Sequence, residues 1–519
     1  MAEIGKNIIE NLTSAMYENS YTVYREYIQN SADSIDKAIE SGLLTSKNAF
    51  IDIDIDINKR RVVIYDNACG IPKDNFYKLL SDIADSKKDP SKDKGFRGIG
   101  RLAGIAYCKK LIFRSSFSGE DVTSIMSWDG DMLRKVLADT TQHPSASDLV
   151  DMLITTKEEK AKPEEHFFEV IMEDVIAESD NLLDEHSVIE YLQAVAPIPY
   201  TNTFIFRNRI YEFAENNGFA IDEYDISING NPIYKPYRTV IYEGVDGSKT
   251  PFDEITDIQF EVFKDNKDDV LGWMWYGISR FEKQIPIINS MRGIRIRKEN
   301  IQIGNEETLG YPKFFKETRG NHYFFGEIFA IHPKLIPNAR RDYFNTNSTL
   351  IDFEKKLYPI LHNQFYSLYH YANKVKVNAK KIVEYSKKQE EYNTKIQSSG
   401  FISKHDQEKA EKDLENSKEI AQKAEHELKL RQKDAEKNEV FTRVFNAINT
   451  AYKTEGTKES SNSEKSVDSK KKTAYLSQSL SRYSKKEQKL IGSIYEIIKK
   501  ILPQDTAELV IKKIQEELK

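Results

Sequence analysis

Isoleucine and aspartate alternate without a break from Ile51 to Ile57, a period of two that predicts a β-strand with one buried face and one wet face. Asn58, Lys59 and Arg60 supply a turn and Arg61 to Tyr65 a return strand, so the segment predicts a β-hairpin. Tyr21 to Glu40 follows the helical period instead. Its packing side holds Tyr27, Ile28 and Ile35, while Glu26, Asn30 and Asp33, at spacings of four and three, share a polar face. Phe260 to Phe263 and Leu271 to Ile278 read as strands of a second globular stretch, and Tyr323-Phe324-Phe325 reads as core. Met291 to Lys298 alternates basic and apolar residues, which predicts a strand with one cationic face. That face either meets a nucleotide or other polyanion, or guards an exposed strand edge with charge.

From about 351 to 452 the pattern changes: glycine and proline almost vanish and Lys, Glu, Gln and Ala dominate. This is the composition of long exposed helices, and the break at Ser398, Ser399 and Gly400 predicts a helical hairpin. Ala410, Leu414, Ile420, Ala424 and Leu428 give a narrow apolar seam, as in a coiled coil or helical stalk. Thr454 to Thr473 has almost no apolar residue with which to offset its ordering entropy and reads as a flexible linker. Leu476 to Ile501 and Asp505 to Leu518 read as two amphipathic helices, the second opened by a capping box of Asp505 and Glu508, forming a tail module for docking or dimerisation.

Composition sets limits on this picture. At 519 residues the chain has room for three or four units of roughly 150 residues each. Its net charge of -6 argues against a polyanion binder over the whole length. Two cysteines, Cys69 and Cys108, cannot build a disulfide framework and fit a reducing cytoplasm. No basic-then-apolar leader opens the sequence, and no run approaches the roughly 18 apolar residues of a membrane helix. The nine histidines form no HExxH pair, which removes the common zinc-hydrolase reading.

Three segments carry candidate chemistry. On the first helix, Glu26 and Asn30 place a carboxylate and an amide one turn apart, able to act as a general base and a Mg²⁺ ligand, or to form no more than a solvated face. The hairpin's second strand ends in Asp66-Asn67-Ala68-Cys69-Gly70, where Asp66 either accepts a hydrogen bond from an exocyclic amine or caps its own turn. Gly95-Phe96-Arg97-Gly98-Ile99-Gly100 offers backbone N–H groups to phosphate oxygens, with Leu102 to Tyr107 able to continue as a helix and the charged stretch Lys87 to Lys94 as a mobile lid. No GK[ST] follows, so this is not a P-loop, and the glycines follow a charged loop instead of the strand a dinucleotide fold requires.

In this order and spacing the three segments resemble the GHKL ATPases, the superfamily of gyrase B, HtpG-type heat-shock chaperones, histidine kinases and MutL. Tyr24 to Asp33 looks like that superfamily's helix, which implies Glu26 as the catalytic base, Asn30 as the Mg²⁺ ligand and Asp33 beside the nucleotide. Asp66 and Gly70 fit its adenine motif, with Ala68 where the first glycine is usual. Gly95, Arg97, Gly98, Ile99 and Gly100 fit its phosphate lid. Asn202-Thr203-Phe204-Ile205 resembles the strand that closes the adenine pocket, with Thr203 in the threonine position. Leu335 to Asp342 looks like the middle-domain segment of HtpG-type chaperones in which an arginine reaches the γ-phosphate, which makes Arg341 the candidate and Arg340 the fallback.

With the composition, the resemblance implies an α+β protein. A Bergerat-type α/β sandwich ATP-binding domain is expected over 1–215, a transducer-like α/β middle domain over 216–350, a helical hairpin or coiled coil over 351–452, a flexible linker over 453–473 and a helical module over 474–519. It also implies ATP and Mg²⁺ as ligands, slow hydrolysis, lid closure and homodimerisation, and a protein client or partner subunit on the helical C-terminal region of a cytoplasmic protein. Bacterial GHKL proteins with long helical tails look like stress or phage-defence components, so a chaperone-like or antiviral role is expected. The alternatives are a DNA-associated ATPase of the MutL or topoisomerase VI B type, which the acidic balance does not support, and a nucleotide-locked scaffold without hydrolysis. A histidine kinase is disfavoured because no histidine stands in an H-box-like context before the motifs.

Overall fold

Helix α1 (Thr22–Glu40) buries Val23, Tyr24, Tyr27, Ile28, Ala32, Ile35 and Ala38, a stripe at helical spacing. The computed structural model describes residues 5–6, 19–82, 100–245, 247–397, 401, 403–460, 480 and 482–518. It divides into two units, Met1–Ile278 with Lys283–Tyr366, and Ser279–Glu282 with Ser367–Lys519.

In the first unit the Ile/Asp alternation becomes β1 (Phe50–Asp56) and β2 (Arg61–Asp66), antiparallel with Ile53 opposite Ile64 and every isoleucine of β1 buried. Arg60 takes φ 51° to close the turn. Helix α2 (Lys73–Ser81) follows, then a 3-10 segment (Gly100–Ala106) where the sequence suggested a helix from Leu102. Next come β3 (Cys108–Ser116), β4 (Val122–Asp129), α3 (Gly130–Ala138), α4 (Ala146–Leu153), β5 (Ile154–Lys160), β6 (Phe167–Val175) and α5 (Glu185–Val195). After α6 (Arg207–Asn216), β7 (Asp225–Ile228) and β8 (Asn231–Pro232) complete an eight-stranded sheet ordered β5-β4-β3-β6-β2-β1-β7-β8. One apolar core joins α1 to this sheet.

A second sheet of six strands is ordered β13-β12-β14-β11-β10-β9. It holds β9 (Val240–Glu243), β10 (Thr250–Lys264), β11 (Val270–Ser279), β12 (Gly293–Lys298), β13 (Ile301–Ile303) and β14 (Phe325–Phe329), and helix α7 (Ser348–Tyr358) follows it. Phe204, Phe206, Tyr200, Tyr237, Trp273 and Trp275 share its core. This corrects the expectation for Thr203. Residues 201–206 form turns, not a strand, because Phe204 and Phe206 anchor them in the second core, and Thr203 is left exposed with its hydroxyl 3.1 Å from that of Thr201.

The cationic strand is also corrected. β12 is interior, parallel to β14 and antiparallel to β13, and all six of its residues are buried. Arg297 is bound to Glu327 and donates to the carbonyls of Asn300 and Ala194, each at 2.9 Å. Lys235 donates to Glu327 at 3.0 Å and to Asn300 at 2.7 Å, and Arg295 donates to Gln302 at 3.0 Å. Burial of charge requires pairing of this kind, so neither a free cationic face nor a guarded edge exists here. Although burial opposes ionisation of Glu327, Arg297 and Lys235 hold its carboxyl down to about 2.

The second unit is helical: α8 (Phe365–Gln397), α9 (Lys404–Ala435), α10 (Glu439–Ser460), α11 (Lys485–Ile501) and α12 (Gln504–Glu517). α8 and α9 run antiparallel, with Tyr371 donating to the Arg431 carbonyl at 2.9 Å, Lys388 to Ser417 at 3.0 Å and Tyr392 to Glu411 at 2.6 Å. The expected break at Ser398, Ser399 and Gly400 lies outside the described residues. The α9 seam passes through Ala421 and Ala424, not Ile420, which is 49% exposed, since a heptad step from Leu414 lands on 421. α10 runs to Ser460 and so takes in the start of the stretch read as linker, whose remainder, 461–473, lies outside the described residues. The capping box belongs to Ser484 and Glu487 on α11, whereas α12 is capped by Pro503, which puts Asp505 inside the helix.

Candidate active site

Helix α1 and the 3-10 segment are tied together by Tyr27, whose hydroxyl accepts from the Gly104 N–H and donates to the Arg101 carbonyl, both at 3.0 Å. This brings Gly100 against Glu26. A β-carbon on Gly100 would overlap Oε2 of Glu26 and stand 3.1 Å from its carboxyl carbon, so glycine is what lets the segment approach the carboxylate. Arg25, one residue earlier on α1, pairs with Oε1 of Glu26 at 3.2 Å, and both side chains are largely buried. Asn30 is half-buried one turn on, and Asp33 is buried.

The end of β2 places Asp66 under the same helix. Asp66 is 1% exposed, accepts from the Ala68 N–H at 3.1 Å and from the Ser31 hydroxyl of α1, and burial pushes its carboxyl up to about 7. Gly70 has φ 69°, and a side chain there would collide with the Ser116 carbonyl, with the Phe167 carbonyl only 2.9 Å away. Ala68 is fully buried and is not among the residues with positive φ, so alanine fits where the motif usually has glycine. The neighbour of β2 on this side is β6, with Phe168 opposite Asp66. Nδ1 of His166, just before β6, lies 3.0 Å from the carbonyls of both Asn67 and Ala68 and so donates into the Asp66 loop.

The loop that follows β14 contributes Arg341. Its loop is held by hydrogen bonds from its own N–H to Asn338 at 3.1 Å and from Gly304 to its carbonyl at 2.7 Å, and its φ of 56° is unusual outside glycine. The Arg341 side chain is buried. Burial weakens its hold on a proton, and the charges acting on it are those of Glu26, Arg25, Glu299 and Asp33. Arg340 is exposed. Glu26 and Gly100 therefore meet at α1, Arg341 is buried within reach of the charges of Glu26 and Asp33, and Asp66 is joined to the helix through Ser31. Thr203 is elsewhere, and Gly95, Arg97, Gly98 and Ile99 lie outside the described residues.

Sequence reasoning missed Arg25, Ser31 and His166. Arg25 and Ser31 lie on the helix already singled out, at four and three residues from Gln29 and Ile28, and His166 precedes the period-two run Phe168, Val170, Met172 that marks β6. The arrangement can hold a nucleotide: the buried Asp66 carboxylate, once ionised, can accept from an amine, the two glycines let the backbone close in where no β-carbon fits, and a single amide oxygen leaves Mg²⁺ free to keep waters and phosphate oxygens as ligands.

Residues 17–159 match the family described as histidine kinase-, DNA gyrase B-, and HSP90-like ATPase. The chain is similar to the chaperone protein HtpG of Rickettsia rickettsii, 30% identical over 148 residues, which is 25% of this chain and 24% of the relative. It is similar to HtpG of Buchnera aphidicola, 28% identical over 142 residues covering 24% and 23%. HtpG of Rickettsia typhi is 28% identical over 161 residues, covering 27% and 25%. The chain thus spans about a quarter of the length of these relatives. Its N-terminal α/β domain, with Glu26 and Asp66 on adjoining elements, is of the GHKL ATPase type and is similar to that of the HtpG-type chaperones.

Proposed function

We propose that the chain binds ATP with Mg²⁺ and hydrolyses it slowly, as a chaperone-like clamp of the GHKL type. The burial of Arg341 within reach of the charge of Glu26 supports this most directly, since it brings a guanidinium from the loop after β14 under the influence of the residue in the position of the base. In this reading Glu26 orients the attacking water and takes its proton, Asn30 holds Mg²⁺, and Asp66 accepts the exocyclic amine of adenine. The bound metal supplies neutralisation of phosphate charge. Lid closure over the phosphates falls to the segment that ends at Gly100.

A homodimer is part of the proposal. Helix α11 leaves Leu490, Ile494, Ile497 and Ile501 exposed at a 4-3-4 spacing, the seam of a coiled coil, and a second copy offers the same seam in return. No helix of the described residues is long and apolar enough to cross a membrane.

Steady-state hydrolysis with Mg²⁺, measured on the wild type and Glu26→Ala alongside nucleotide binding, tests the reading. Turnover by the wild type with binding alone in the variant supports it, and equal rates or no binding sinks it. The nucleotide-locked scaffold is the second reading, favoured by the Arg25–Glu26 ion pair, which engages the base. Binding without turnover in the wild type selects it.

A further inference from the structure

Gln29 is the one residue of α1 whose polar side chain is fully buried while neither its Oε1 nor its Nε2 has a hydrogen-bond partner among the described residues. On a helix its neighbours at minus four, minus three and plus four are Arg25, Glu26 and Asp33, with Cβ atoms about 5–6 Å away. Arg341 is buried within reach of the charges of the same three residues. An amide carries a donor and an acceptor, so it is chemically suited to stand between the cation and the carboxylates around it. With Arg25 paired to Glu26 at 3.2 Å, the buried amide is desolvated without return in the nucleotide-free state.

We propose that Gln29 is a positioning residue that takes its partners only in the triphosphate-bound state, a proposal that rests on the ATP reading above. With a triphosphate bound, Arg341 turns from the α1 carboxylates to the terminal phosphate. Nε2 of Gln29 then donates to Asp33 and Oε1 accepts from Arg25, which releases Glu26 from its ion pair to act on water. The diphosphate offers Arg341 no such anion, so Gln29 favours the triphosphate alone.

The test is the affinity of wild type, Gln29→Leu and Gln29→Met for ADP and for a non-hydrolysable ATP analogue, by calorimetry in Mg²⁺, with the melting temperature of each nucleotide-free protein. The expected result is that either variant melts no lower than wild type, binds ADP within twofold of it, and binds the ATP analogue at least tenfold more weakly, so that the preference for the triphosphate is lost. Variants that keep the wild-type ratio of the two affinities overturn the proposal while leaving the ATP reading in place. A wild type that binds neither nucleotide overturns both. The methionine variant, unbranched like glutamine, carries the test where leucine does not fit the site.

Discussion

A methyl group on Gly100 would run into Oε2 of Glu26 and stand 3.2 Å from its β-carbon, so the last glycine of the lid motif and the residue in the position of the base occupy one another's space. Gly100 does not need a positive φ, so alanine there strains no backbone, and the atom it meets is the end of a flexible side chain. Gly100→Ala is therefore expected to leave the melting temperature near that of wild type while it displaces the carboxylate. A displacement of about 1 Å at a reacting group costs on the order of 100-fold in rate. Turnover at saturating ATP, measured with nucleotide affinity, checks this; a variant with wild-type turnover would mean that Glu26 does not act from this position.

Arg341 and Arg340 are adjacent in sequence but differ in burial and in what surrounds them. If the Arg341 guanidinium stabilises transferring phosphate oxygens, Arg341→Ala lowers kcat by roughly 100- to 1000-fold, and Arg340→Ala leaves it within about twofold. Single-turnover assays on both variants decide it, and the reverse order would reassign the role to Arg340.

Asp66 gives a pH dependence whose sign follows from its surroundings. Its carboxyl, ordinarily at 3.8, is raised by burial to about 7 in the nucleotide-free fold. The fold therefore keeps a proton that the unfolded chain has released, and this group's stabilising contribution, complete below pH 3.8, is lost as pH rises through 7. Acceptance of the adenine amine needs the ionised form. ATP affinity should thus rise about tenfold per pH unit up to about pH 7 and level off above it. Calorimetric titrations from pH 5.5 to 8.5 test the slope, and Asp66→Asn should bind weakly at every pH; a flat wild-type profile contradicts the assignment.

Glu327 joins Arg297, Lys235 and Tyr200 in a site where the Lys235, Arg297 and Glu327 side chains have no exposure. Removal of one member leaves the others charged and unpaired, and breaking a buried pair costs about 3–5 kcal/mol. Glu327→Ala is expected to lower stability by that amount in denaturant titrations. A loss under about 1 kcal/mol would show that water or relaxation compensates the cations.

The difference between this cluster and the first hairpin shows what the sequence makes legible. Ile51 to Tyr65 declares its fold locally, because side-chain period and turn lie within sixteen residues. Helix α1 does so for the same reason. Arg297 does not, because its burial depends on Glu327, thirty residues away and brought alongside only by the parallel register of β12 and β14. Thr203 misled in the opposite sense. A four-residue likeness stood in for pairing, whereas the strand beside Asp66 is fixed by the Asp66–Phe168 register. The orphan amide of Gln29 reads in sequence as one more polar helix residue, and only the packing of α1 shows that it is enclosed.

The proposed homodimer rests on α11, whose two faces differ. Ile491, Tyr495 and Ile498 pack with Leu480, Ile511 and Ile514 in the tail's own core, while Leu490, Ile494, Ile497 and Ile501 are 63%, 42%, 54% and 73% exposed. Scattered exposed apolar residues are ordinary, but four on one stripe of a single helix fit the proposed contact face. Ile494→Lys with Ile497→Lys adds charge to that stripe without touching the inner face. Light scattering is expected to show two chains for wild type and one for the double variant, with helical content preserved by circular dichroism. A wild type with the mass of one chain, or a variant still of two, would place the dimer contact elsewhere or remove it.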